Sequence, residues 1–123
     1  MKLLIVEDNP AVRQMIKAIV GTLADEVCEC ADGAAALAAY QAQHPDVVLM
    51  DIELGAVDGL TATRQITTAD PNAHVIIVTS YDEADLRAAA QQAGARDYVL
   101  KNNLLAMRQL LAQPSPKEKG TQP

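Results

Sequence analysis

The sequence predicts an α/β fold, a five-stranded parallel sheet with helices on both faces. Three observations predict it. Leu3-Leu4-Ile5-Val6, Val47-Val48-Leu49-Met50 and Val75-Ile76-Ile77-Val78 are continuous apolar runs, as strands covered on both faces require. Segments with helical spacing separate them. Pro, Gly and Asx residues punctuate the junctions.

After the first run, Asn9-Pro10 reads as an N-cap followed by proline at the first helical position. Val12, Met15, Ile16, Ile19, Val20 and Leu23 then recur at helical spacing, and Gly21 helps to end that helix. Glu26 to Cys30 is a short, partly polar strand of the kind found at a sheet edge. Asp32-Gly33 opens an alanine-rich helix that runs to about His44, where Pro45 stops it. Asp58-Gly59 starts a third helix reaching about Thr68, and Glu83 to Ala93 is a fourth, stopped by Gly94. Tyr98 to Leu100 is the last strand and Leu104 to Ala112 the last helix. Residues 1–113 form one domain, and 114–123 read as a disordered tail or the start of a linker.

Open parallel sheets bind ligands beyond the carboxyl ends of their strands. Those ends carry Glu7 and Asp8, then Asp51, then Thr79 and Ser80, then Lys101. Crowded carboxylates favour a hard cation with oxygen ligands, Mg²⁺ above all. With such charge offset, Asp51 could attack phosphorus, while Thr79 and Lys101 engaged the oxygens of the transferred group. Taken singly, each residue has an ordinary role as turn, cap, strand-end hydroxyl or solvated charge. Four strand ends each bearing the right type make the phosphoacceptor reading, with Asp51 as acceptor.

Composition narrows the partners. The chain has 123 residues, a net charge of −6, three tyrosines and no Phe or Trp. An acidic body with little aromatic surface argues against direct nucleic-acid binding. No apolar run approaches the roughly 20 residues of a membrane span, and no leader pattern opens the chain, so a cytoplasmic protein is expected. Cys28 and Cys30 lack the count and spacing of a zinc site and read as small apolar fillers in a reducing compartment.

The motifs LLIVEDNP, VVLMDIELGAVDG, VIIVTS and AGARDYVLK together resemble the receiver domain of two-component response regulators, over residues 1 to about 112. The resemblance implies a flavodoxin-like (βα)5 sheet in strand order 2-1-3-4-5. It implies that Glu7, Asp8, Asp51 and the Glu53 backbone carbonyl hold Mg²⁺, and that Asp51 takes a phosphoryl group from a histidine kinase or histidine phosphotransfer protein. Thr79 and Tyr98 would form the switch pair, and Ala11, Val12 and Met15 lie where the donor docks in this family. Val12 and Met15 also fit the core-facing stripe of their helix, which leaves Ala11 as the better contact candidate. Glu53 and Tyr81 stand at the positions that flank the route of attacking water, and Ser80 is small enough to leave the phosphoryl group an approach.

Two departures stand out. Asn102 follows the lysine where the family usually has proline, so a trans bond is expected there. Gly55 replaces a frequent proline in the loop after Asp51, which predicts a looser loop. The output is expected to be a protein partner or a homodimer, through the face near Tyr98 and the last helix. Competing readings are a small phosphohydrolase with Asp51 as nucleophile and Glu53 as general acid/base, a flavin-binding module, and a degenerate receiver acting as a constitutive binder. The hydrolase lacks a substrate-binding insertion, acidic strand ends would repel a flavin phosphate, and the complete acid set argues against degeneracy.

Overall fold

A computed structural model describes residues 1–112. The tail predicted at 114–123 lies outside the described residues. The elements alternate as β1 (Lys2–Val6), α1 (Pro10–Val20), β2 (Glu26–Cys30), α2 (Ala36–Gln43), β3 (Val47–Met50), α3 (Gly59–Ala69), β4 (Val75–Thr79), α4 (Ala84–Gln92), β5 (Asp97–Leu100) and α5 (Leu104–Ala112). All neighbouring strands are parallel and the order is β2-β1-β3-β4-β5, the flavodoxin-like arrangement.

Strand alternation divides the core in two. Leu3 and Ile5 of β1, with Val47 and Leu49 of β3 and Ile76 and Val78 of β4, pack against Ile16 and Val20 of α1 and Met107 and Leu111 of α5. Leu4, Val6, Val48, Met50, Val75 and Ile77 point the other way, against Tyr40 of α2, Ala62 and Ile66 of α3, and Ala90 of α4. Covered on both faces, β3 and β4 have no solvated position at all, which is why their sequences carry no alternation. The edge strands β2 and β5 keep partly exposed positions.

Helix starts follow their caps. The Asn9 side chain accepts from the backbone N–H groups of Ala11 and Val12, with Pro10 opening α1. Asp58 accepts from Thr61 N–H at 2.8 Å and caps α3. The second helix departs from expectation: it begins at Ala36, not at Asp32-Gly33. Asp32 instead accepts from Ala35 N–H at 2.8 Å in a turn, and Gly33 lies so near the Val57 carbonyl that a Cβ would sit 2.1 Å from its oxygen. At the other end of α2, His44 takes φ 50° ahead of Pro45. Gly55 takes φ +85°, a conformation closed to proline, so its loop turns where a proline-bearing loop could not.

Candidate functional site

The topology delivers the acids to one edge. Val6 of β1 pairs with Met50 of β3, so the residues that follow, Glu7 and Asp51, leave adjacent strands side by side. Glu7 N–H donates to Cys30 O at 3.0 Å and Asp51 N–H to Val6 O at 3.0 Å, which ties both backbones to the sheet ends. On the far side, Thr79 pairs with Leu100, and Lys101 N–H donates to Thr79 O at 2.8 Å.

Glu7, Asp51 and Thr79 are buried, a costly placement for two carboxylates without compensation. Lys101 compensates. Its Nζ lies 2.8 Å from Glu7 Oε1 and 3.2 Å from Asp51 Oδ2. The Lys101–Asn102 bond is trans, as expected, and the lysine side chain spans the cluster. Asp51 Oδ1 accepts from Ile52 N–H at 2.8 Å, and Glu7 Oε2 from Asn9 N–H at 3.2 Å.

Burial pushes the Glu7 carboxyl up from its ordinary value, and the Lys101 hydrogen bond pulls it only part of the way back. For Lys101, burial works against the charge, but the Glu7 hydrogen bond and the Asp51 charge prevail and hold the ammonium above its ordinary value. Glu7 Oε1 is buried and has no partner among the described residues besides the Lys101 ammonium, so it retains acceptor capacity. Carboxylate oxygens of Glu7, Asp8 and Asp51 lie within 4.8 Å of one another, with Asp8 on the solvent side. An all-oxygen set of this kind fits a hard divalent cation, and the cluster could hold one.

Around the acids, the remaining expected residues fall into place unevenly. Thr79 Oγ1 accepts from Tyr81 N–H at 3.3 Å, which leaves the hydroxyl proton free to donate. Tyr81 reaches over to Glu53 and donates its hydroxyl to Oε1, so the two residues expected to flank the site touch each other. That contact pushes the Tyr81 phenol up. Tyr98 is half-buried and packs at the margin of the core: its hydroxyl donates to Tyr81 O at 2.5 Å and the Arg87 guanidinium stacks 4.5 Å from its ring centroid. Two grooves of about 430 and 410 Å³ flank it between α4, β5 and α5. Ala11 is exposed; Val12 packs against the core, whereas Met15 is 45 % exposed and belongs to the surface. Cys28 and Cys30 are free thiols, Cys30 buried and donating weakly to Asp32 O.

Two contributors escaped the sequence reading. Arg13 Nη1 donates to Glu7 O at 2.7 Å, although on its helix it reads as a solvated charge. Gly59 abuts the carbonyl of Asp51; the Asp58-Gly59 pair signalled a helix start but not that approach.

A doubly wound parallel sheet binds its ligand beyond the carboxyl ends of its strands, and here buried acids and a lysine occupy that edge. The chain belongs to the response regulator receiver domain family, whose profile matches residues 3–113. It is 37% identical over 101 residues to the chemotaxis protein CheY of Bacillus subtilis, covering 81% of this chain and 84% of that protein. It is 34% identical over 123 residues to the regulatory protein AtoC of Escherichia coli, covering 95% of this chain but 27% of that much longer protein. Among solved structures, the BeF3-activated N-terminal receiver domain of Klebsiella pneumoniae RstA superposes with a TM-score of 0.78 at 33% identity, over 92% of this chain and all of that one (100%). Among the described residues no helix is long and apolar enough to cross a membrane.

Proposed function

We propose that Asp51 is the phosphoacceptor of this receiver domain, and that its donor is a phosphohistidine on a kinase or histidine phosphotransfer protein. The observation that carries the reading is the Lys101 ammonium held between Glu7 and Asp51 at the sheet edge. An Asp51 oxygen attacks phosphorus, the phosphorus–nitrogen bond of the donor breaks, and its electron pair returns to the imidazole. The product is an acyl phosphate. Glu7, Asp8 and Asp51, with the Glu53 carbonyl, are the proposed Mg²⁺ ligands. When bound, Mg²⁺ would offset the charge of acid and phosphoryl group together. Lys101 pairs with one phosphoryl oxygen and the free Thr79 proton bonds another.

Thr79 and Tyr98 form the proposed relay to a partner-binding face on α4, β5 and α5, for a downstream protein or a second copy of the chain. Ala11 and Met15, exposed beside the acidic turn, are the proposed docking positions for the donor. Glu53 and Tyr81, joined by their hydrogen bond, set the lifetime of the phosphorylated form. Residues 1–113 act as one unit in the cytoplasm.

Incubation with Mg²⁺ and acetyl phosphate tests the central claim. Mass spectrometry is expected to show one labile phosphoryl adduct that Asp51→Asn abolishes. Wild-type protein that binds Mg²⁺ yet takes no adduct overturns the phosphoacceptor role. For the lifetime claim, the Glu53→Ala, Tyr81→Ala double variant is expected to lose its phosphoryl group at a changed rate. A decay matching wild type removes both residues from that role.

A further inference from the structure

We infer that Arg13 is a positioning residue for the acidic turn, fixing the Glu7–Asp8 peptide so that the two carboxylates converge on one cation. Its guanidinium is forked. Nη1 donates to Glu7 O at 2.7 Å, while Nε donates to Glu29 Oε1 at 3.1 Å. The second oxygen of Glu29 receives Lys17 Nζ at 3.2 Å, so the carboxylate that anchors Arg13 is itself anchored. These two cations, Lys17 first, hold the Glu29 carboxyl below its ordinary value.

The consequence lies in the Glu7 backbone. Its N–H donates to Cys30 O at 3.0 Å, at the end of β2. Its carbonyl is taken by Arg13, which is tied to Glu29, the residue before Cys30. Both polar groups of the Glu7 backbone are therefore fastened to the end of the edge strand, one directly and one through the guanidinium. The Glu7 and Asp8 carboxylates repel each other and repel Asp51, and an untethered turn would relieve that repulsion by rotating the Glu7–Asp8 peptide. Asp8, on the solvent side, has the most freedom to turn away. Arg13 opposes that rotation. It sits close to the acids without being one of the groups that would touch the cation or the phosphoryl group.

This inference rests on the Mg²⁺ reading above. Geometry and charge pull the prediction in opposite directions, which makes it testable. Removing a positive charge beside a cation site should tighten cation binding if Arg13 acts only through its charge. Removing a tether should weaken it. Loss of groups that orient metal ligands costs about 10- to 100-fold in affinity, and a bond to a ligand's backbone belongs at the lower end, about tenfold.

Isothermal titration with MgCl₂ on the unphosphorylated protein reads this directly. Arg13→Gln is expected to bind Mg²⁺ about tenfold more weakly than wild type, at a thermal midpoint that confirms folding. Arg13→Lys, which keeps the charge but cannot fork, is expected to bind more weakly as well. Equal or tighter binding by Arg13→Gln, or unchanged binding by Arg13→Lys, overturns the positioning role. A wild-type chain with no saturable Mg²⁺ binding sensitive to Asp8→Asn overturns the metal reading itself, and the two failures are distinguishable.

Discussion

Replacing Gly59 by alanine should damage the fold and the phosphoacceptor together. A Cβ at this position would stand 1.8 Å from the Asp51 carbonyl oxygen, 2.7 Å from its carbonyl carbon and 2.9 Å from Ile52 Cα. Ordinary contact begins near 3.5 Å, so one side must move by well over roughly 1 Å. The β3 end cannot yield cheaply, because Asp51 N–H is bonded to Val6 O at 3.0 Å and the strand is buried throughout. The start of α3 must therefore lift, and lifting breaks the 2.8 Å bond from Gly59 N–H to Ile52 O. Overpacking costs about 1–3 kcal/mol and the lost hydrogen bond about 1 kcal/mol. Against this stands about 0.4–1 kcal/mol from the reduced freedom of the unfolded chain. The net expectation is a loss of about 2–3 kcal/mol in urea denaturation. Folded Gly59→Ala should also take less phosphoryl from acetyl phosphate, since the displaced helix borders Asp51. Gly55→Ala separates space from conformation: nothing lies within 4 Å of its Cβ, but its φ of +85° should cost about 1–2 kcal/mol. A Gly59→Ala protein within about 0.5 kcal/mol of wild type would refute the packing argument, because that is the scatter of a harmless substitution.

Other substitutions probe the buried polar groups. Lys101→Gln leaves two buried carboxylates without their cation and should cost about 1–3 kcal/mol in urea denaturation. That deficit should grow from pH 5 to pH 8, as Glu7 is forced to carry its charge; a deficit independent of pH would argue against the ion pair. His74 is held below its ordinary value by burial and by Arg96, with Asp97 opposing them from 3.6 Å. Below its unfolded value of about 6.5 the unfolded chain takes up a proton that the folded one resists, so this part of the stability is full above that pH and lost as pH falls. Subtracting the urea midpoints of His74→Gln from wild type across pH 5–8 should isolate that slope, and a flat difference would sink it. Thr63 is buried with no hydrogen-bond partner for its hydroxyl, so Thr63→Val should raise stability by about 1 kcal/mol. A lower urea midpoint for Thr63→Val would mean that the hydroxyl is satisfied.

Where the sequence was legible, local chemistry and tertiary structure agreed. The three apolar runs became central strands because nothing polar could survive covering on both faces. Asn9-Pro10 and Asp58-Gly59 marked helix starts because capping is a contact between near neighbours. The start of α2 was illegible because Gly33 answers to Val57, far along the chain. Met15 kept to its helical stripe in sequence yet lies beside Ile16, which takes the core position. The acids, threonine and lysine could be read off as strand ends. Arg13 could not, since nothing local shows that its guanidinium bends back to the Glu7 carbonyl.

The proposed relay acquires a physical route through one residue. Tyr81 donates its N–H to the Thr79 hydroxyl and accepts the Tyr98 hydroxyl on its carbonyl. Its side chain meanwhile holds Glu53. A phosphoryl group on Asp51 offers strong acceptors near Thr79 and repels Glu53. Under the proposed relay, a Thr79 hydroxyl drawn toward that group would pull on Tyr81 N–H, while the Glu53–Tyr81 contact would weaken. Both effects would act on the residue that anchors Tyr98, so the relay expects the ring to find a new partner or a new position under Arg87. Tyr81→Pro would remove both the N–H link and the phenol that holds Glu53, and, unlike Tyr81→Phe, which keeps the N–H, it should uncouple Tyr98 from Asp51 while phosphorylation persists. Tyr98 ring resonances that still shift fully on phosphorylation of that variant would show that the signal does not pass through the Tyr81 backbone.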